Sequence, residues 1–252
     1  MVNLFNIAPN TGEQVTYSYS AWFPHWFLNS FFIFFSLLVL IAVLVGVTRF
    51  WRAMKASTTH RKPTPVKGIW PSIWAVIKNV IRHDHFSGCV SAHSRYASHW
   101  LVFFGFLALS AVTLWVITSS LNPIIRNDFK YPFGFFSPWK ILANLGGIAL
   151  AVGCILMILD RLEEHKPTGG STYFDWSFLL TLLLVVGSGF FTELLHYLRL
   201  EPHRHIVYFI HLVLVFVLLM NLPFSKFAHV VYRTTALVFA EHTGRRNKTV
   251  KE

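Results

Sequence analysis

Five long apolar runs, at about Trp22–Val47, Trp100–Leu121, Ile141–Leu159, Phe174–Leu195 and Ile206–Leu222, leave few folds open to this chain. Each approaches the twenty or so residues that a helix needs to cross a hydrocarbon core about 30 Å thick. In lipid only helices and closed barrels satisfy their own backbone polar groups, and runs this continuous fit helices. The expected fold is an all-α integral membrane protein whose five transmembrane helices form a bundle. The third run is the shortest and the richest in glycine (Gly146, Gly147, Gly153), which allows close helix packing. The fifth meets Pro223, which either kinks it or ends it.

With 54% hydrophobic and only 13% charged residues, the chain is too apolar for an ordinary soluble domain. Cys89 and Cys154 are too few for a disulfide framework. One cysteine-ligated iron–sulfur cluster takes about four, so any such cluster is expected on a partner. Met1 to Ala21 holds no Lys or Arg and lacks the basic start of a signal peptide, so the first run is expected to be retained. The net charge of +11 raises the question of nucleic acid, and its distribution answers in favour of the membrane. Seventeen Lys and Arg fall in the 49–95 loop, the turn after the third run and the C-terminal part, against five (Arg126, Lys130, Lys140, Arg199, Arg204) on the other side. The positive-inside rule then puts residues 1–21 outside and the basic tail, 241–252, in the cytoplasm.

Within the 49–95 loop, IWPSIWAVIKNVI places Trp70, Ile73, Trp74, Ile77 and Ile81 on one helical stripe. The stripe suits a helix lying on membrane lipid or a docking face for a partner subunit; the tryptophans with Lys78 and Arg82 favour the membrane surface. The chain shows no internal repeat and no phosphate-cradling glycine motif.

Thirteen histidines remain to be placed. His60, His83, His85, His93, His165 and His242 fall in polar segments on the cytoplasmic side, and His203 and His205 in the short outer loop before the fifth run, where surface exposure is the expectation. The others, His25, His99, His196, His211 and His229, lie in or at the ends of apolar runs, where an ionisable group marks function. HLVLVFVLLMNLPFSKFAH begins at His211 and ends at His229. Over eighteen residues a continuous helix makes five turns, which would put both imidazoles on one face roughly 27 Å apart. His99 opens the second span at the depth expected for His229. A haem b held between these two imidazoles, or two side chains capping spans at the headgroups, would each explain them. For His211 the candidate partners in a second haem are His196 and His25; a quinone-site or water-linked histidine is the other reading. A non-haem iron oxygenase would need clustered ligands, and HDH and HRH are isolated pairs on opposite sides. A transporter or a structural anchor without haem is the competing class; transport would call for broken helices in matching halves, and Pro223 alone hints at a break.

The fifth run and the residues after it, VYFIHLVLVFVLLMNLPFSKFAHVVYRTTAL, resemble the haem b membrane subunits of the respiratory nitrate reductase gamma type. By that resemblance His211 and His229 match a fifth-span ligand pair and His99 the first of two second-span ligands. The other would fall at Leu109, where this chain departs from the pattern. HDHFSGC, SRYASHWLVFFGF, SPWKILANLGG, YFDWSF, GFFTELL and LPFSKFAHVVYRTTAL are similar to the membrane subunit of the quinone-interacting membrane-bound oxidoreductase, over about residues 80–240. The membrane subunits of heterodisulfide reductase and of the sulfite-reductase-linked membrane complex belong to the same broad group. The family often carries an N-terminal iron–sulfur domain, for which this chain has no cysteines.

The resemblance implies a cytochrome b domain over residues 22–240 with one or two haems b, in a bacterial or archaeal cytoplasmic membrane. It implies electron exchange between menaquinone or ubiquinone and cytoplasmic flavoprotein and iron–sulfur subunits, linked to adenylylsulfate reductase in sulfur metabolism. Candidates for the quinone site are Lys140, Arg126, Asp128 and Glu193, with His196. Lys140 leads because a basic residue just after the second span serves the quinol site in the nitrate reductase relatives; anchoring a helix end is its alternative. Glu193, almost one turn before His196, would serve as a proton relay or fix an imidazole tautomer.

Overall fold

A computed structural model describes residues 24–57, 67–82, 93–121, 136–163, 173–198, 200 and 202–245. The N-terminal segment 1–21, Arg126, Asp128, Cys89, most of the expected tail and the histidines at 60, 83, 85 and 165 lie outside the described residues. The elements are α1 (His25–Ala56), α2 (Ile69–Arg82), α3 (His93–Leu121), α4 (Pro138–Glu163), α5 (Tyr173–Leu198), α6 (His203–Asn221), a 3-10 turn (Leu222–Phe224) and α7 (Lys226–His242). All are helical, and five stretches among the described residues are long and apolar enough to cross a membrane. The expected all-α membrane fold is what the chain adopts. The helices run past the apolar runs at their ends, because polar end residues extend a helix into the headgroup layer without changing its apolar core.

Two compact units divide the chain. The first holds residues 1–33 and 92–218 and is built on α3, α4 and α5. In lipid there is little hydrophobic gain from bringing helices together, so close van der Waals contact through small residues does the work. A Cβ on Gly105 of α3 would lie 2.6 Å from the Gly146 carbonyl oxygen and 2.7 Å from the Leu150 nitrogen of α4. One on Gly153 would lie 2.9 Å from the Ser98 carbonyl oxygen, and one on Gly147 would lie 2.7 Å from the Phe190 ring of α5. The glycines of the third run therefore face both neighbours, as their number suggests. Leu150, Cys154, Leu179, Leu182 and Val186 form the buried core between α4 and α5, with Val102, Phe106 and Leu109 of α3 against it. Trp115 and Trp139 stack at 4.5 Å where α3 ends and α4 begins, and Arg161 lies over the Trp176 ring at the other end of α4.

The second unit holds residues 34–91 and 219–252. Here α2 packs on α7, and Trp51 of α1 meets Phe239 of α7 edge to face at 5.1 Å. The expected amphipathic helix is present, but its buried line is Ser72 and Val76, both fully covered. Trp70 and Trp74 are 80% and 71% exposed. The small side chains let the two helices approach, with the Ser72 hydroxyl turned back onto the Gly68 carbonyl at 2.8 Å, and the bulky tryptophans are left outward. Lys67, just before α2, clasps the end of α7 three times. Its ammonium meets Glu241 at 2.5 Å, its N–H donates to the His242 carbonyl, and its carbonyl accepts from His242 Nδ1 at 2.6 Å. His242, expected at a solvated surface, is thus part of a tertiary joint.

The fifth apolar run does not continue as one helix to His229. Pro223 lacks an N–H and its ring clashes with the carbonyl four residues back, so the chain tightens into the 3-10 turn. Ser225 then adopts an extended backbone (φ −93°, ψ −174°) and its hydroxyl accepts the Phe227 N–H, capping a new helix. A single face shared by His211 and His229 requires an unbroken helix, and the turn breaks it: the two lie on α6 and α7.

Candidate functional site

The glycine contacts give α3, α4 and α5 a common ruler, because each contact fixes which residues are level. Gly147 is level with Phe190 and Gly153 with Ser98. At 1.5 Å per residue, the His99 end of α3 is about 20 Å along the bundle from the start of α4 at Lys140. His99 itself is exposed, next to Ser98, whose carbonyl makes the Gly153 contact.

At the Lys140 end two of the expected residues meet. Lys140 Nζ lies 3.0 Å from Glu193 Oε1, and each side chain is 21% exposed. The Asn144 amide, one turn further along α4, donates to the same oxygen at 3.2 Å. The other carboxylate oxygen, Oε2, takes part in neither contact. Lys140 also lies 5.7 Å from the centre of the Tyr197 ring. His196 is half-buried beside this group, its ring 5.9 Å from that of Tyr197. The pairing follows from the antiparallel hairpin of α4 and α5, which puts the first turn of one beside the last turns of the other. A half-buried ammonium–carboxylate pair can hold a proton donor and a proton acceptor side by side, which is what a two-proton, two-electron carrier needs at its headgroup.

His211 lies two turns into α6, half-buried, with Nδ1 2.9 Å from the Ser188 hydroxyl of α5. Ser188 in turn donates to the Val185 carbonyl at 3.0 Å. The imidazole fits because residue 189 has no side chain: a Cβ on Gly189 would come within 3.2 Å of His211 Cε1. Gly187, on the other side of Ser188, opens onto free space. Ser188 is five residues before Glu193, so His211 and the ion pair are about 7 Å apart along α5; His196 is eight residues on, about 12 Å. On the face of α6 turned away from His211, an aromatic groove of about 260 Å³ runs between Phe27, Phe31 and Phe32 of α1 and Phe209, Leu212 and Phe216 of α6.

In the second unit His229 occupies the first turn of α7 and is exposed. Its neighbours Ala228 and Val230 line an apolar cavity of about 350 Å³ bounded by Leu222, Pro223 and Phe224 of the turn and by Val39 and Val43 of α1. His25 is the first residue of α1. His203 and His205 open α6 rather than lying in a loop, and Arg204 and His205 are buried at 3% and 5% exposure. The charge of this stretch makes it read as a solvated connection and masks a first helical turn. Ser188 and Asn144 also escape sequence reasoning; a lone hydroxyl between two glycines in VVGSGFF is the available signal for the first.

Among the described residues no three His, Cys, Asp or Glu side chains converge as they would on a bare metal ion. Imidazoles offered singly suit a haem, whose macrocycle brings the four equatorial nitrogens and asks the protein for one or two axial ligands.

Citrate utilization protein B of Escherichia coli is 29% identical over 239 residues, covering 90% of this chain and 59% of that protein. One subunit of the dihydromethanophenazine:CoB–CoM heterodisulfide reductase of Methanosarcina thermophila is 24% identical over 152 residues, 57% of this chain and 58% of that subunit. The chain therefore spans less than two thirds of the length of either relative. No solved structure matches. Of the groups that the motifs resemble, heterodisulfide reductase returns here as a relative. The family model for Citrate utilization protein B matches residues 16–250, nearly the whole chain, which therefore belongs to that family.

Proposed function

We propose that this chain is the membrane cytochrome b subunit of a redox complex, exchanging electrons between the quinone pool and a cytoplasmic flavoprotein or iron–sulfur partner. The observation that carries the proposal is His211: an imidazole two turns inside an apolar helix, hydrogen-bonded on one nitrogen and about 7 Å along α5 from a lysine–glutamate pair. Likeness to a heterodisulfide reductase subunit supports the assignment to a multi-subunit redox assembly.

Haem b, one or two per chain, would supply one-electron transfer. His99, His211 and His229 would serve as axial ligands, with His196 and His25 as the remaining candidates for the partner of His211. At the headgroup of menaquinone or ubiquinone, Glu193 Oε2 would accept a hydroxyl proton, while Lys140 and Asn144 hold Oε1 and keep the carboxylate oriented. Arg126 and Asp128 belong to the connection that precedes Lys140 and complete the candidate set. The charge asymmetry supports an N-terminus outside and a C-terminus in the cytoplasm of a bacterial or archaeal inner membrane, so the Lys140 end would face outward and the α2–α7 joint inward. A link to adenylylsulfate reductase and sulfur metabolism is the narrower part of the proposal, resting on motif resemblance.

A reduced-minus-oxidised optical spectrum with a pyridine haemochrome assay tests it, on purified protein beside His99→Ala and His211→Ala. Two b-type haems, with the signal halved by each change, would establish both ligands. One haem lost with His99 and kept without His211 would confine the conduit to the inner side. Well-folded protein purified with its partners and free of haem would leave the anchor or transporter as the function.

A further inference from the structure

Three atoms on α5 and α6 form a chain whose direction is fixed by proton counting. His211 Nδ1 is 2.9 Å from Ser188 Oγ, and Ser188 Oγ is 3.0 Å from the Val185 carbonyl oxygen. A hydroxyl has one proton, and a carbonyl has none. If serine gave its proton to Nδ1, the contact with Val185 would be oxygen against oxygen with nothing between. Both contacts are hydrogen bonds only when His211 Nδ1–H donates to Ser188 and Ser188 donates to Val185. Serine in a helix commonly makes the second of these bonds, to the carbonyl three or four residues back. In the neutral imidazole, a proton on Nδ1 leaves Nε2 with its lone pair.

We infer that Ser188 is a positioning residue that holds His211 in the Nδ1–H tautomer and so presents Nε2 as the metal-binding nitrogen. The inference rests on the haem reading for its purpose, but the tautomer itself is a property of the chain. The flanking glycines fit the same role: Gly189 leaves room for the ring edge, and Gly187 keeps the other side of Ser188 open. A ligand imidazole that donates its second N–H is a stronger electron donor and favours the oxidised metal. Losing the acceptor would weaken the site about tenfold. Expressed as a tenfold change in the ratio of ferric to ferrous affinity, this raises the midpoint potential of the His211-dependent haem by about 59 mV for one electron.

The test has two arms. In the first, the whole chain is labelled with ¹⁵N-histidine, depleted of haem and reconstituted in lipid, and the His211 nitrogens are read by solid-state NMR as the difference from His211→Gln. A protonated Nδ1 and a bare Nε2 are expected in the wild type, a mixture of tautomers in Ser188→Ala, and the wild-type pattern again in Ser188→Thr, which keeps the hydroxyl. A wild type protonated on Nε2, or a Ser188→Ala pattern unchanged from wild type, would overturn the inference. In the second arm, redox titration of the haem-loaded variants should show the potential raised in Ser188→Ala and restored in Ser188→Thr; no shift in Ser188→Ala, or an equal shift in both, would also overturn it. Absence of haem in every preparation, with the expected tautomers in the first arm, would refute the cytochrome function and leave the role of Ser188 standing.

Discussion

Two lysine–glutamate pairs can be set side by side. Lys67–Glu241 joins α2 to α7, and Lys140–Glu193 joins α4 to α5, at 2.5 and 3.0 Å. In the first, the lysine backbone is engaged as firmly as its ammonium, since both its N–H and its carbonyl bond His242. Moving Lys67 would break three bonds at once. The second pair is made by side chains alone, both one-fifth exposed, with a side-chain amide as third member. Either partner can rotate away without disturbing a helix. The same two residue types thus make a fixed joint in one place and an adjustable side-chain pair in the other, and the difference lies in what the backbone does.

If that contrast holds, changes at the two pairs separate activity from stability. The largest effect expected is Glu193→Gln, which keeps the shape and the hydrogen bonds to Lys140 and Asn144 but cannot accept a proton. Quinol-driven reduction of the protein should slow on the order of 10²-fold, read by stopped-flow absorbance, with the melting temperature unchanged. Equal turnover in Glu193→Gln and wild type would make this pair a second joint. Lys140→Met should slow the same reaction about tenfold, because the carboxylate is still present but no longer held by a charge.

Lys67→Ala should do the reverse. It removes the Lys67 ammonium from Glu241, 8% exposed, and the cost should fall between the ~0.2–1 kcal/mol of exposed pairs and the ~3–5 kcal/mol of buried ones. Amide exchange in α2 should accelerate about tenfold, equivalent to ~1.4 kcal/mol, while quinol-driven turnover stays within about twofold of wild type. The smallest effect is that of salt. Raising it from about 0.1 to about 1 M shortens the Debye length from about 10 to about 3 Å, so α2 exchange in the wild type should rise less than about twofold, the backbone bonds of Lys67 being insensitive to screening.

Much of this arrangement is legible in the residue order alone. The five spans follow from apolar length, the close α3–α4 contact from glycine content, and Lys140 and Glu193 each stand out as charges at span ends. Their meeting follows once α4 and α5 are read as neighbours joined by a short connection. What cannot be read is rotation about the helix axes. Nothing in the residue order says that His211 faces Ser188, or that α2 buries Ser72 and Val76 in place of Trp70 and Trp74. Both depend on which side chains are small enough to admit a neighbour, a question about pairs of helices. Arg204 and His205 mislead for a related reason: a charged dipeptide looks solvated until the helix that contains it is packed.

The 3-10 turn at Leu222–Phe224 changes what the spacing between two histidines means. In an unbroken helix every residue added or deleted between them would swing one imidazole about 100° around the other. Here the angular phase of α7 is reset at Ser225, so the heading of His229 is counted from its own cap, four residues away. An insertion within the turn is absorbed by the turn. The interval of eighteen is therefore a distance along the chain that each helix interprets separately, and the two ends of this stretch can be tuned one at a time.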